Sequence, residues 1–292
     1  MRLPQNGIST PFQIGVRPLD AADWIDVDDQ LPAYLDEKAR LVAAHPAETF
    51  AAEPGTEEAQ AEVHDLLSAY LPERFPDFYR RDGKSMLVAG QRIDLTAEPS
   101  LRTAALMVQE DLVLMRKGAD GWRLAAASLS FPSSWKLADK FGKPMHAVHA
   151  PVPGFAAGTR NAGMIERMFD HLRPEMPVLR WNWSLFSDLA LYHPEPSHPV
   201  GPRFGATGEK AVLRIERQTL RRLPQSGDIL FTIRVYVDSL SALERHSDGA
   251  SVAGAMIAQL SALTEEQAAY KGLAADRAIL IDGLKTIANR PA

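Results

Sequence analysis

The residues best placed to do chemistry are two histidines in a segment braced by prolines. His146 and His149 lie three residues apart between Pro144 and Pro151. Because a proline disfavours helical backbone at the residue before it, at most one helical turn fits between the two prolines, and both imidazoles would project to similar sides. The pair is compatible with a chelating zinc or non-haem iron site, with one histidine as a single axial metal ligand, or with a hydrogen-bonded histidine that binds nothing.

A second group of chemistry-bearing residues is cationic. Five arginines crowd one predicted hairpin: Arg214, Arg217, Arg221, Arg222 and Arg234. On an alternating strand, Arg217 and Thr219 share one face, while Arg214, Glu216 and Gln218 share the other. A bound group carrying carboxylates would explain the cluster through bidentate arginine contacts. A solvated basic edge strand that discourages aggregation explains it as well.

A third pattern is aromatic. Trp181 and Trp183 alternate with Arg180, Asn182 and Ser184. Tryptophans spaced in this way are most often core residues, but an indole face also attracts cationic amines. The strand that carries them therefore either packs into the core or lines a pocket for an amine.

Composition, charge and missing motifs exclude several classes of function. The 292-residue chain contains no cysteine, which excludes disulfides, thiolate-bound zinc, iron–sulfur clusters and c-type haem attachment. Its formal net charge of −5 argues against nucleic-acid binding. No signature of dinucleotide-binding enzymes, P-loop NTPases, zincins or serine hydrolases occurs. Without a signal peptide or an apolar run of about twenty residues, we expect no membrane segment and a cytoplasmic protein.

The elements that must position these residues change from helix to strand. Pro32 suits the first turn of one N-terminal helix, and Thr56 resembles the N-cap of a second. Alternation and turn residues then predict two hairpins and a further strand. The predicted strands are Asp111–Lys117, Trp122–Ser130, Val178–Phe186, Ala211–Thr219 and Asp228–Asp238. We therefore expect an α+β fold.

Apolar spacing predicts more helices after each group of strands. Ser133 or Ser134 could cap a short helix over Trp135–Phe141, and apolar residues from Met164 to Leu172 mark another. Thr264 and Gln267 fit a capping box. The helix that it begins is predicted to continue through Tyr270, Leu273, Arg277, Leu280 and Leu284.

One stretch shows no regular pattern. Between Tyr192 and Gly208 the sequence is rich in proline and glycine and contains His193 and His198. Such a stretch is typical of a flexible loop. It could serve as a lid over a pocket or as a solvated connector.

At these residues the sequence resembles the α-subunit family of haem-dependent oxidative N-demethylases, a group otherwise described as a domain of unknown function. The resemblance runs from about Asp23 to Val237 and includes the run H-A-P-V-P at His149 and the run E-R-Q-T-L-R-R-L-P at Glu216. The matching stretches are DWIDVDD from Asp23, LPERFPDFY from Leu71, QEDLVLM from Gln109, FPSSWKLADKFGKPMHAVHAPVPGF from Phe131, RWNWSLF from Arg180 and RIERQTLRRLPQSGDILFTIRVYV from Arg214.

The resemblance implies a PAS-like fold, in which N-terminal, inserted and C-terminal helices wrap an antiparallel sheet that holds haem b. We expect one haem-binding domain over residues 1–292, with an N-terminal helical region at about 20–80 and a C-terminal helical tail at about 240–290. His149 would be the axial iron ligand, and His146 is the second choice. The expected partners of the haem propionates are Arg217, Arg221, Arg222 and Arg234.

The activity implied by the resemblance is oxygen-dependent removal of a methyl group from a secondary amine such as dimethylamine, with formaldehyde and the shorter amine as products. Glu110, Asp111 and Glu216 are candidates for attracting the protonated amine, and Trp183 for stacking on it. Electrons would come from a partner reductase that carries flavin or NADPH on other subunits. The alternatives are a PAS-like haem or small-ligand sensor without turnover, and a scaffold that has lost haem.

Overall fold

A seven-stranded antiparallel sheet forms the centre of the fold, in the strand order β1-β8-β9-β10-β6-β7-β2. The computed structural model describes Leu3, residues 10–195 and residues 201–289. Within these residues the strands are β1 (Arg17–Pro18), β2 (Phe50–Ala52), β6 (Asp111–Gly118), β7 (Gly121–Ser128), β8 (Val178–Phe186), β9 (Val212–Arg222) and β10 (Ile229–Ser239). The mixture of helices and antiparallel strands confirms the predicted α+β class, and both predicted hairpins are present.

A second, smaller sheet was not predicted. It contains β3 (Tyr79–Asp82), β4 (Ser85–Val88) and β5 (Gln91–Asp94), all antiparallel. Ala89 and Gly90 join β4 to β5 with φ angles of 48° and 89°. Two successive residues with positive φ match the twist of a tight hairpin, so the chain can reverse within two residues.

The N-terminal helices pack against one face of the central sheet. They are α1 (Leu31–Ala44), α2 (Pro46–Thr49), α3 (Glu57–Arg74) and α4 (Ser100–Ala105). Leu35 of α1 and Val63 and Leu67 of α3 share a buried cluster with Leu112 and Leu114 of β6. As predicted, Pro32 lies in the first turn of α1. Thr56 occupies the N-cap position of α3 without a capping bond, because its hydroxyl donates to the carbonyl of Glu53 instead (2.6 Å).

The helices inserted between β7 and β8 pack against the opposite face. They are α5 (Leu137–Lys140), α6 (Met145–Val148) and α7 (Arg160–His171), and their apolar side chains share a cluster with Val113 and Met115. The prediction of a short helix within Trp135–Phe141 is confirmed by α5, but its predicted start and its cap at Ser133 or Ser134 were wrong. Ser134 has a positive φ of 62°, and the Ser133 hydroxyl donates to Glu216, so α5 begins only at Leu137.

The C-terminal helices are α8 (Gly249–Ala262), α9 (Glu265–Tyr270) and α10 (Arg277–Ala288), preceded by a 3₁₀ helix at Leu240–Arg245. They cover the sheet near Trp183 and Ile215. The capping box of Thr264 and Gln267 is confirmed, but the predicted continuous helix was wrong. Gly272 has a φ of 65°, a left-handed backbone that separates α9 from α10.

Strand register divides the site residues between the two faces of the sheet. Arg217 lies opposite Trp181 on β8 and Arg234 on β10, so these three share the first face, which the N- and C-terminal helices cover. Glu216 lies opposite Asn182 and therefore belongs to the second face, beside the inserted helices. No helix in the described ranges is long and apolar enough to cross a bilayer.

Candidate functional site

His149 lies directly after the single turn of α6, on the segment that the prolines were predicted to limit to one turn. The start of this segment is fixed to β7. The Gly142 amide donates to the Leu124 carbonyl (2.8 Å), and Pro144 forms an isolated bridge with Arg123. His149 is therefore held by a short, anchored piece of backbone beside the second face of the sheet.

The hydrogen bond of His149 decides which ring nitrogen is available. Its Nδ1 lies 3.1 Å from the carbonyl oxygen of Met145. Because a carbonyl oxygen can only accept, Nδ1 carries the proton and Nε2 keeps its lone pair. Burial, followed by the positive charge of Lys140, lowers the pKa of His149 to about 4. The imidazole is therefore neutral at physiological pH, as a metal ligand must be.

His146 has different surroundings. Its side chain is exposed, whereas that of His149 is half-buried. A small pocket with about 170 Å³ of free space, its open mouth included, separates α6 from α7 and touches both histidines and Glu166. Among the described residues, no group of three or more His, Asp or Glu side chains is arranged to hold a metal ion.

The sheet opposite His149 carries a buried carboxylate. Glu216 accepts hydrogen bonds from Gln218 (2.7 Å), from Asn182 (3.2 Å) and from the Ser133 hydroxyl. Burial opposes ionisation of Glu216, but the Ser133 hydrogen bond and the positive charge of Arg214 outweigh it and hold its pKa below the usual value. Glu216 is thus negatively charged at neutral pH.

Three cations from different elements interact electrostatically with this carboxylate: Lys140 at the end of α5, Arg180 on β8 and Lys271 just after α9. Desolvation lowers the pKa values of Lys140 and Lys271 to about 8, and it also lowers that of Arg180. Yet all three side chains remain partly accessible. Because these groups are desolvated and yet partly accessible, we infer that they border a depression in the surface. Lys140 and Arg180 also act on His149, and we call the depression bordered by the three cations, Glu216 and His149 the recess.

The contacts of the three cations leave their charges unpaired. The Lys140 ammonium lies 4.0 Å from the centre of the Trp135 ring, and that of Lys271 donates to the Trp183 carbonyl (2.8 Å). Arg180 donates to the side chain of Gln218 (3.0 Å), while its buried Nε has no hydrogen-bond partner. None of the three forms an ion pair with a carboxylate in the part of the chain that the structure describes.

Three of the four predicted propionate partners lie on the opposite face of the sheet from His149. Arg217 donates to the carbonyl oxygens of Trp24 (3.0 Å) and Asp23, Arg221 stacks on the Trp24 ring at 4.6 Å, and Arg234 pairs with Asp28 (2.9 Å). All three lie on the first face. Arg222 lies on the second face, where it donates to the carbonyl oxygens of Asp170 and Leu172 (both 3.3 Å).

Of the four residues predicted to contact the amine, only Glu216 borders the recess. Glu110, Asp111 and Trp183 are fully buried. Glu110 accepts from the Asp26 amide (3.0 Å), and the two oxygens of Asp111 accept from the amides of Ser130 and Phe131 (both 2.8 Å). The Trp183 indole donates to Gln259 (2.9 Å).

The Tyr192–Gly208 stretch is packed at both described ends. His193 lies 4.4 Å from the Phe186 ring, measured between ring centres, and Phe204 is fully buried against the C-terminal helices. These ends are therefore not a solvated connector. His198 lies outside the described residues.

Sequence reasoning missed the three cations of the recess. Arg180 had a weak signal, because it alternates with the buried Trp181 and Trp183 and must face the other side of β8. Lys140 and Lys271 had none, since nothing local distinguishes them from surface lysines.

By its fold, the chain is an α+β protein with a short anchored helix and a group of partly accessible cations beside one face of an antiparallel sheet. The family model described as "haem-dependent oxidative N-demethylase, alpha subunit-like" matches residues 15–281. The match covers most of the chain, so this protein belongs to that family, as the resemblance at His149 and Glu216 implied.

Proposed function

We propose that the protein is a haem-dependent oxidoreductase that uses O₂ to remove a methyl group from a small secondary methylamine such as dimethylamine. The observation that carries the proposal is the state of His149. Its imidazole is neutral, its Nδ1 is fixed by the Met145 carbonyl, and its Nε2 is available to a metal. Membership of a family described by haem dependence makes haem iron the expected metal.

The surroundings of His149 suit a flat, apolar group. Phe155 lies 6.1 Å from its ring, measured between ring centres, and Met145, Val152 and Trp135 belong to the same apolar cluster. The chain has no cysteine, so haem would be held without covalent attachment, as haem b, and His149 would bind its iron. We also propose that the central sheet and its helices have the PAS-like arrangement expected for the family.

When bound, haem would supply the activation of O₂. In the overall reaction a methyl C–H bond is hydroxylated and the C–N bond then breaks, which releases formaldehyde and the shorter amine. One oxygen atom enters formaldehyde and the other leaves as water, so two electrons and two protons are consumed. We propose that a reductase on other subunits supplies these electrons from NADPH through flavin.

Glu216 is the residue that we propose to attract the amine. It is ionised, and it borders the recess that His149 also faces. Its three hydrogen-bond donors fix the carboxylate in place, so a protonated amine would meet an oriented negative charge.

Two measurements test the proposal. Purified protein supplied with haem should show a Soret band and a b-type pyridine haemochrome. The reduced holoprotein, given O₂ and a panel of secondary methylamines, should release one formaldehyde per two electrons consumed. A protein that takes up no haem under any condition would contradict the proposal outright. Haem uptake with neither turnover nor an amine-induced spectral change would favour the sensor.

A further inference from the structure

The recess contains more positive charge than the described residues can balance. Arg214, the other cation near Glu216, does not belong to the recess, because its side chain is fully buried and Asp111 as well as Glu216 acts on its charge. The remaining cations are Lys140, Arg180 and Lys271, and each interacts electrostatically with Glu216. With Glu216 as their shared counter-charge, these three leave a net charge of two positive.

Unpaired, desolvated cations are costly to a fold. Removing a charge from water without an opposite charge costs several kcal/mol unless a ligand or partner compensates. The buried Nε of Arg180, which has no hydrogen-bond partner, adds an unmet donor to this imbalance. The recess is therefore complementary to a ligand with two negative charges and acceptor oxygens.

Resting on the proposed function, we propose that Lys140, Arg180 and Lys271 bind the two propionate carboxylates of haem. Arg180 is the central member of the three, because its charge acts on both His149 and Lys271. Its unpaired Nε points to an additional carboxylate contact, and a guanidinium can bind a carboxylate through two parallel hydrogen bonds.

The proposal also explains how one recess can serve an amine. Three cations would repel a protonated methylamine from Glu216. Two propionates would bring the net charge of the recess from two positive to zero, so a protonated amine would no longer be repelled from Glu216. Haem binding therefore prepares the recess for a cationic substrate.

The test compares haemin with haemin dimethyl ester, whose propionates carry no charge. Each is titrated into the full-length apoprotein and followed by the Soret band and by tryptophan fluorescence quenching. We expect the wild type to bind haemin at least about tenfold more tightly than the ester, since charge-assisted hydrogen bonds are roughly twice as strong as neutral ones. Arg180→Gln and Lys271→Gln should each reduce this ratio severalfold by weakening haemin alone.

Arg80→Gln is the matched control, because Arg80 is exposed on β3 of the small sheet, and it should leave the ratio unchanged. Equal affinity of the wild type for haemin and ester would overturn the propionate assignment while leaving the haem site intact. So would variants that weaken both ligands equally. Failure of the wild type to bind either ligand would instead overturn the proposed function itself.

Discussion

The two faces of the central sheet use arginine in opposite ways. On the first face, Arg234 is fully buried and pairs with Asp28, while burial raises the pKa of nearby Glu110 despite the positive charge of Arg234. On the second face, Arg180 is partly accessible and pairs with no carboxylate of the described residues. The first face thus contains a buried arginine with a carboxylate partner, and the second contains a partly accessible arginine without one.

This difference separates residues that hold the fold from residues that can bind a ligand. The ion pair between Arg234 and Asp28 fixes the N-terminal segment to the sheet, as does the hydrogen bond between the Tyr236 hydroxyl and Asp26. Cations without a paired anion carry a charge that a negatively charged ligand can neutralise. We therefore expect first-face substitutions to change stability and second-face substitutions to change ligand binding.

The largest expected effect is that of His149→Ala. Loss of a residue that only supports a metal ligand weakens metal binding roughly 10- to 100-fold. Loss of the only proposed iron ligand should weaken haem binding by more than that, or abolish the Soret band. The fold should survive, because the half-buried imidazole makes one hydrogen bond, within its own turn. Haem titration and far-UV circular dichroism check the two parts.

His146→Ala provides the matched control for that substitution. Its exposed imidazole should matter much less for haem binding, since two histidines three residues apart cannot occupy opposite sides of one porphyrin. If the His146 variant lost haem and the His149 variant kept its spectrum, our ligand assignment would be wrong.

The next largest effect should be that of Arg234→Met on stability. The substitution leaves the Asp28 carboxylate and the buried Glu110 without their cation, which should lower the free energy of unfolding by about 3–5 kcal/mol. Arg180→Met on the second face should leave the stability of the apoprotein unchanged or raise it, because it removes a desolvated cation that has no ion-pair partner. Urea unfolding of both apoproteins measures the contrast. Equal destabilisation would show that the two networks do not differ.

The sequence predicted the strands that carry these networks but not the networks themselves. Alternation correctly separated Arg217 from Glu216, because strand geometry alone fixes that separation. It could not tell which face His149 would approach, since the packing of α6 against the sheet depends on contacts far apart in the chain. For that reason Arg217, Arg221 and Arg234 were grouped with His149, from which the sheet separates them.

Other differences have local causes that were visible in the sequence. The small sheet depends on turns at Gly83 and Gly90, both with positive φ, and the pair Asp82-Gly83 is an ordinary turn signal. The end of α9 depends on Gly272 in the same way. The recess is different, because Lys140, Arg180 and Lys271 come from three distant segments and only the folded chain brings them together.

The smallest expected effect is a pH dependence of haem binding that distinguishes the second face. The Lys271 ammonium, near Glu216 and Arg180 and 5.1 Å from the Trp183 ring, has a pKa of about 8 because it is desolvated. Below pH 8 the lysine is charged and attracts a propionate, and as the pH rises through 8 the free protein loses that charge. Haemin affinity should therefore fall about threefold to tenfold between pH 7 and pH 9.

Haemin dimethyl ester distinguishes the titration of Lys271 from any pH effect on the iron, because it carries the same metal as haemin but uncharged propionate esters. Its affinity should change little over the same pH range, and Lys271→Gln should flatten part of the haemin curve. Lys38 on α1 offers a comparison outside the recess. Desolvation also lowers its pKa to about 8, but its ammonium donates to the Ala105 carbonyl (3.0 Å) and to that of Glu110, and it lies 4.0 Å from the Asp111 carboxylate. If the affinities for haemin and for the ester fell in parallel as the pH rose, Lys271 would not contact the propionates. The contrast between the two faces would then rest on Arg180.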